Sequence, residues 1–283
     1  MTEAEPGFDR PVFIVSPPRS GSTLLFEALA QAPGLFTIGR ESHQLFEGIP
    51  GLHPSERAWQ SNRLTAKDAT SERVEALAQA FRQRLRDRDG RTPAGRVRML
   101  EKTPKNALRV PFLDACFPDA IFVYLYRDPR ETLGSMIEAW LSGAFRTYPE
   151  LPGWDGPPWS LLLVPGWREL IGKPLPTIVA QQWAVTTELL IADLELLPRE
   201  RLRTARYGDL VASPQPVVKD IAEGVGLRWD RLLGLRLPPS KTTVSRPGAG
   251  KWLRFRSEIE AVLPNIADSD AKARAFLEDF GGD

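Results

Sequence analysis

Ser20-Gly21-Ser22-Thr23 follows two prolines and a cation, Pro17-Pro18-Arg19, and this run of residue types suits the binding of an oxyanion. Where such a run opens a helix, its backbone N–H groups have no intrahelical acceptor and the helix dipole adds partial positive charge. The hydroxyls of Ser22 and Thr23 add two donors, and Arg19 adds a full charge. A second pair, Arg127 and Ser135, stands eight residues apart around Asp128-Pro129. A third group, Gly39-Arg40-Glu41-Ser42-His43, holds a carboxylate and an imidazole, the two commonest acid–base groups. Glu101-Lys102-Thr103-Pro104-Lys105-Asn106 adds cations that could stabilise developing negative charge. Taken one at a time, each group also reads as an ordinary turn, helix cap or surface ion pair.

The elements around these residues turn scattered groups into an ordered set. Val12–Val15 is a short apolar run between prolines and predicts a buried parallel strand. Thr23 to Ala32 predicts a helix with Leu24, Leu25, Ala28 and Leu29 on one face, stopped by Pro33-Gly34. The oxyanion run therefore lies on a strand–loop–helix connection. Val97–Leu100 predicts a strand that delivers Lys102. Ile121–Tyr126, six apolar or aromatic residues, predicts another that delivers Arg127. Asp128 caps the following helix, with Pro129 at its first position and Glu131 in its first turn. Leu202–Ala205 predicts a strand with Tyr207 at its carboxyl end, where open α/β sheets bind ligands. Charged residues 68–89 predict a helix with Val74, Leu77, Ala78, Phe81 and Leu85 inward, and 177–197 predict another with Trp183, Leu189, Leu190 and Leu194. Residues 141–176, rich in Pro, Gly and Trp, have no clean period. Trp154, Trp159 and Trp167 there either border a substrate or pack beneath a long loop.

The Walker pattern is absent, because no Gly-Lys pair precedes Ser22 or Thr23. Pro18-Arg19-Ser20-Gly21-Ser22-Thr23 instead resembles the 5′-phosphosulfate loop of sulfotransferases that use 3′-phosphoadenosine 5′-phosphosulfate (PAPS). In that family an Arg at a strand end and a Ser eight residues later bind the 3′-phosphate, as Arg127 and Ser135 are spaced here. Arg206-Tyr207-Gly208-Asp209-Leu210 resembles a segment whose Tyr lies near the adenine, with a core-packing tyrosine as the competing reading. Ser245-Arg246-Pro247-Gly248-Ala249-Gly250-Lys251-Trp252 resembles the family's last loop, where Arg246 would meet the 3′-phosphate and Gly248 would admit backbone N–H groups. Pro247 stands where the family has a basic residue. The resemblance implies an α/β three-layer fold, a central parallel sheet with a P-loop-like phosphosulfate-binding loop, forming one domain over residues 1–283. Residues 141–176 would cap the acceptor site. It further implies PAPS as co-substrate, no metal, and a hydroxylated acceptor such as a sugar, phenol, lipid or natural product.

Sulfuryl transfer needs an in-line nucleophile, a base for its proton, and positive charge at the leaving oxygen. Arg19 and the amides of Ser20 to Thr23 would face the leaving group, with Lys102 as the second cation. Small-molecule sulfotransferases place a His base directly after a Lys-Thr pair, but Lys102-Thr103 is followed by Pro104. Tyrosylprotein sulfotransferases use a Glu in a Gly-Glu-Glu-Thr segment, and Gly39-Arg40-Glu41-Ser42 resembles it with Glu41 as the base. His43 has the more convenient unperturbed pKa and is the alternative. Two rival functions share the fold: a P-loop kinase or phosphotransferase, which would need a Gly-Lys loop and a magnesium carboxylate, and a non-catalytic nucleotide-binding module.

The remaining composition bounds these readings. The 283 residues suffice for one core, and a formal charge of +1 gives no global field for nucleic acid or a membrane surface. No apolar run reaches membrane-spanning length, and the acidic opening Met1-Thr2-Glu3-Ala4-Glu5-Pro6 lacks the apolar core of a secretory signal. The single cysteine, Cys116, permits no internal disulfide, so the expectation is a cytoplasmic protein with Cys116 as inert packing. Composition leaves the oligomeric state open.

Overall fold

The structure is a computed structural model, described here for residues 7–240 and 250–280. Its centre is a sheet of seven strands: β1 (Gly7–Phe8), β2 (Val12–Val15), β3 (Leu35–Thr37), β4 (Arg86–Asp87), β5 (Arg96–Lys102), β6 (Ile121–Tyr126) and β9 (Leu202–Arg206). The order is β4-β3-β5-β2-β6-β9, with β1 paired to the start of β5 and β2 to its end. Every pairing is parallel except β3 with the edge strand β4. A separate antiparallel pair, β7 (Arg146–Tyr148) and β8 (Trp159–Ser160), lies in the irregular stretch. Because β2 sits between β5 and β6, the chain leaves it first to one side and later to the other. The carboxyl ends of β2, β5 and β6 thus flank the crevice where strand order reverses, the usual ligand site of such sheets.

Side-chain alternation in the strands makes the three layers. Phe13, Val15, Met99, Phe122 and Tyr124 pack on one face against α2 (His43–Glu47), α3 (Ser71–Arg84), α4 (Val110–Cys116), α6 (Leu175–Leu194) and α10 (Ala267–Phe280). Val12, Ile14, Leu100, Val123 and Leu125 pack on the other against α1 (Ser22–Leu29), α7 (Tyr207–Ala212) and α8 (Pro214–Gly224). A strand buried on both faces reads as continuous apolar sequence, as β2 and β6 do. A third cluster joins α5 (Pro129–Ser142), the first half of α6, α9 (Arg256–Val262) and the irregular stretch, with Trp140, Trp159, Trp167 and Trp183 inside. Among the described residues no helix is long and apolar enough to cross a membrane.

Element ends differ from the periodicity in ways the hydrogen bonds explain. Helix α1 stops at Leu29 rather than Ala32, because Gln31 and Ala32 donate to the carbonyls of Ala28 and Leu29 in tight turns. Helix α3 spans 71–84 rather than 68–89: Thr70 caps its start, and Arg86–Asp87 pair as an edge strand with β3. Helix α6 begins after Pro174 and ends at Leu194, three residues before the predicted end. Asp128 caps α5 as expected, its carboxylate accepting from the Arg130 amide at 2.9 Å.

Candidate active site

The oxyanion run forms the turn from β2 into α1. Arg19 and Gly21 both hold left-handed backbone, with φ of 66° and 95°, and so curl the loop back on itself. Glycine is required at position 21 for a second reason. A Cβ there would lie 2.3 Å from Cδ2 of the Tyr207 ring, which packs against the loop from the start of α7. The Ser20 hydroxyl is buried with no protein partner.

Arg127, at the end of β6, reaches the same turn. Its Nη1 donates to the Arg19 carbonyl at 2.8 Å, its Nη2 to Glu131 Oε2 at 3.4 Å, and its guanidinium lies 4.5 Å from the Tyr207 ring centroid. Arg19 Nε donates to Ser135 Oγ at 3.3 Å, and its guanidinium lies 4.7 Å from the Phe145 ring centroid. The fold thus brings Arg19, Ser20, Gly21, Ser22, Thr23, Arg127, Ser135 and Tyr207 to one place. Burial and the neighbouring Arg127 charge push the pKa of Arg19 down, opposed by the charges of Glu138 and Glu41. Arg127 Nε is buried without a protein partner, as is Ser20 Oγ. Two unsatisfied donors and two close guanidiniums fit an anionic nucleotide. Arg246 and Gly248 lie outside the described residues. The flanking Gly250 amide donates to Glu131 Oε1 at 2.8 Å, and Trp252 packs on Gly134, where a Cβ would stand 2.9 Å from the Trp252 Cα.

Lys102 joins this loop to the acid–base residues. Its ammonium, on a side chain only 3 % exposed, donates to Thr23 Oγ1 at 2.9 Å and to Glu41 Oε1 at 2.6 Å. Glu41 Oε2 lies 2.7 Å from His43 Nε2. Burial alone would raise the Glu41 pKa, but the His43 hydrogen bond and the Lys102 charge outweigh it and hold the carboxyl at about 2. Burial pushes the His43 pKa down, helped by the charges of Lys105 and Arg109 and opposed by its hydrogen bond to Glu41. The neutral imidazole must then carry its proton on Nε2, because an ionised carboxylate can only accept. His43 Nδ1, its accepting nitrogen, is buried and has no partner.

Two buried networks beneath these groups escaped the sequence reading. Ser42, Glu101, Thr103 and Asn106 form one, with Ser42 Oγ 2.5 Å and Thr103 Oγ1 2.6 Å from Glu101 Oε1. In the other, Lys105 Nζ donates to Glu47 Oε1 at 2.5 Å and to Tyr148 Oη at 2.8 Å, and Asn62 Nδ2 donates to Tyr148 Oη at 2.6 Å. A signal existed for the first: Glu101 is a carboxylate in an otherwise buried strand end, a position charged residues avoid unless partnered. Nothing in local spacing announces the second. Trp159 and Trp167 are fully buried and pack edge-on at 5.8 Å, while Trp154 is half-buried beside them. The Asp128 carboxylate is engaged by the α5 cap and by Arg130 Nη2 at 2.8 Å. Among the described residues no three His, Cys, Asp or Glu stand together as a metal site.

The three-layer α/β fold thus brings together the loop at its switch point, basic residues at the ends of β5 and β6 on either side of β2, and the Glu41 carboxylate. The chain belongs to the sulfotransferase family, whose model matches residues 11–231. It is 27% identical over 131 residues to the Caenorhabditis briggsae protein named "Putative protein-tyrosine sulfotransferase", a match covering 46% of this chain and 44% of that one. This chain therefore spans less than half the length of that relative. The fold is also that of a sulfotransferase from Alicyclobacillus acidocaldarius, with 14% identity, a TM-score of 0.52 and 97% of each chain covered. Sulfotransferase STF9 from Mycobacterium avium matches with 13% identity and a TM-score of 0.50, over 96% of this chain and 77% of that one.

Proposed function

We propose that this protein transfers a sulfuryl group from PAPS to an acceptor hydroxyl by in-line displacement, leaving adenosine 3′,5′-bisphosphate. The observation that carries the reading is the position of Lys102, whose one ammonium is hydrogen-bonded both to Thr23 of the oxyanion loop and to Glu41. A hydroxyl of the oxyanion loop and the Glu41 carboxylate are thereby held by one cation, where attack and departure must meet.

In this reading Arg19, Ser20, Gly21, Ser22 and Thr23 hold the 5′-phosphosulfate side, Arg127, Ser135, Arg246 and Gly248 the 3′-phosphate, and Tyr207 the adenine side. The donor supplies the sulfuryl group and a phosphate leaving group. Arg19, Lys102 and the amides opening α1 take up negative charge as it grows on the leaving oxygen. Glu41, ionised at neutral pH, accepts the acceptor's hydroxyl proton as the new oxygen–sulfur bond forms. His43 supports it by donating from Nε2. His43 is the poorer base because its free nitrogen is the buried Nδ1. The acceptor is a hydroxyl compound (a sugar, a phenol, a lipid or a natural product), and residues 141–176 form the wall it enters by, with Phe145 under Arg19. No step asks for a metal. A single buried cysteine suits a cytoplasmic setting.

The test is an acceptor screen with labelled sulfuryl donor and mass identification of the product. Transfer to at least one hydroxyl compound, unaffected by chelator, is the expected result. ATP turnover that chelation abolishes and magnesium restores would move the assignment to a phosphotransferase. Tight binding of the bisphosphate with no transfer to any acceptor would leave a nucleotide-binding module.

A further inference from the structure

The segment that carries Glu41 crosses the carboxyl end of β5 so that two successive residues straddle the strand. Glu41 meets Lys102, and Ser42 meets Glu101. Neighbouring strand residues face opposite ways, so the crossing segment is gripped on both faces at once. The grip on the Ser42 side is the denser. Ser42 N donates to Thr103 Oγ1 at 2.7 Å, the Ser42 hydroxyl donates to Glu101 Oε1 at 2.5 Å, and the Thr103 hydroxyl donates to the same oxygen at 2.6 Å. Asn106 Nδ2 closes the set on Glu101 Oε2. Each hydroxyl proton is then used on Glu101, which leaves Thr103 Oγ1 free to accept the Ser42 amide.

Glu101 is only 2 % exposed, so a carboxylate sits here against the cost of its burial. That burial pushes its pKa up, opposed by the Ser42 and Thr103 hydrogen bonds and the Lys102 charge and reinforced by Glu41. Either protonation state keeps Oε1 as acceptor for both hydroxyls. A neutral carboxyl would place its proton on Oε2, facing Asn106, whose Oδ1 is buried without a partner and is brought into place by a half-turn of the amide. Apolar packing alone would hold a strand end. Three converging donors on one oxygen pair fix where the neighbouring residue stands.

We infer that Glu101, acting through Ser42 and Thr103, is a positioning residue that holds the Glu41 carboxylate in register between Lys102 and His43. The catalytic consequence rests on Glu41 being the base; the geometric one does not. Without the clasp, Glu41 would move away from Lys102 and His43, the two partners that keep it ionised far below the ordinary carboxylate range. The other charges bearing on Glu41 and His43 are Arg19, Lys105, Arg109 and Glu101 itself.

The direct readout is the carboxyl titration of Glu41 by carbon-13 NMR in the ligand-free protein, assigned by its loss in Glu41→Gln. In the native protein Glu41 should stay ionised throughout the weakly acidic range. In Glu101→Ala it should titrate as an ordinary glutamate, and Glu101→Gln should return it to the native behaviour, since the new amide N–H can donate to Asn106 Oδ1 while its oxygen still accepts from Ser42 and Thr103. In turnover, Glu101→Ala should lower kcat by about 10²-fold, the scale of a misplaced reacting group, and leave the Kd of adenosine 3′,5′-bisphosphate unchanged. Should Glu101→Ala not fold, Ser42→Ala breaks the same link with one hydroxyl and should raise the Glu41 titration in the same direction. A Glu41 that titrates natively in both variants overturns the inference. So does a Glu101→Gln variant as impaired as Glu101→Ala. A protein inactive on every acceptor would refute the proposed reaction while leaving the titration to decide this point.

Discussion

The two sides of Lys102 are built on opposite principles. On the donor side the contacts come from short motifs, each on its own strand-to-helix connection, and the fold leaves polar atoms there without protein partners: Ser20 Oγ and Arg127 Nε are buried and unsatisfied. On the acceptor side each carboxylate is engaged by several partners, some local and some distant in sequence. Glu41 is engaged at both oxygens, Glu101 by three donors, and Glu47 by Lys105 and Tyr148. A pocket that keeps unsatisfied donors, one of them on a guanidinium, would be pre-organised for a ligand that brings the negative charge. A network that meets each carboxylate with several donors, even with His43 Nδ1 and Asn106 Oδ1 left without partners, fixes the placement of one group. The donor side should therefore respond to changes in ligand, and the acceptor side to changes in partners and pH.

The largest effect should come from the carboxylate itself. Glu41→Gln keeps shape and hydrogen-bonding size but cannot take a proton, and should lower kcat by about 10²–10⁴ while donor affinity persists. His43→Asn should cost far less, because the imidazole supports Glu41 and its accepting nitrogen is buried. Steady-state kinetics of the two variants separates the roles, and a larger loss in His43→Asn would reverse them.

Arg19→Ala and Lys102→Ala come next, at about 10²–10³ in kcat if each stabilises charge that develops only in transfer. Lys102→Ala carries an additional signature because it belongs to both sides. Removing its charge takes away one of the forces holding Glu41 down at about 2. The acid limb of kcat/KM should therefore move to higher pH in Lys102→Ala and stay in place in Arg19→Lys. An acid limb that shifts equally in both would mean that the Glu41–Lys102 contact has no separate influence.

A smaller effect tests the donor side alone. Adenosine 3′,5′-bisphosphate should bind more tightly than adenosine 5′-monophosphate by about 1.5–3 kcal/mol, roughly ten- to 150-fold, the worth of hydrogen bonds to a charged group. Arg127→Met should abolish most of that difference. Calorimetry that finds equal affinities for the two nucleotides would remove Arg127 and Ser135 from 3′-phosphate recognition.

The same contrast explains what the sequence revealed. Val12–Val15, Ile121–Tyr126 and the Asp128-Pro129 cap are local signals, and β2, β6 and the start of α5 lie where those signals place them. The turn from β2 into α1 was legible because a loop that must leave a strand and open a helix needs particular residue types in consecutive order. The Glu101 and Glu47 networks depend on which segments the topology brings together. Ser42 meets Glu101 across 59 residues and Glu47 meets Tyr148 across 101, and no periodicity encodes such pairings. Helix ends were misplaced for the same reason: Arg86–Asp87 continue a helical pattern of charge but pair with β3 once the edge is available.

The smallest expected effect probes the acceptor side through Lys105. Its burial, reinforced by the Arg109 charge and opposed by Glu47, pushes the ammonium down from its ordinary 10.5 to about 8. A lysine lowered on folding works in the reverse sense to one that gains a partner. Between about pH 8 and 10.5 the unfolded chain still holds this proton and the folded chain has released it, so folding stability rises with pH across that window. Below pH 8 both states hold the proton and the contribution is flat, at its least favourable. Other groups titrate in the same range, so the difference between native protein and Lys105→Met isolates the residue. Urea midpoints at neutral pH and near pH 9.5 should show the native protein gaining on the variant as pH rises. Arg127→Met, on the donor side, should show no such gain. A Lys105→Met difference that does not change with pH would mean that Lys105 stays charged in the fold as an ordinary partner of Glu47.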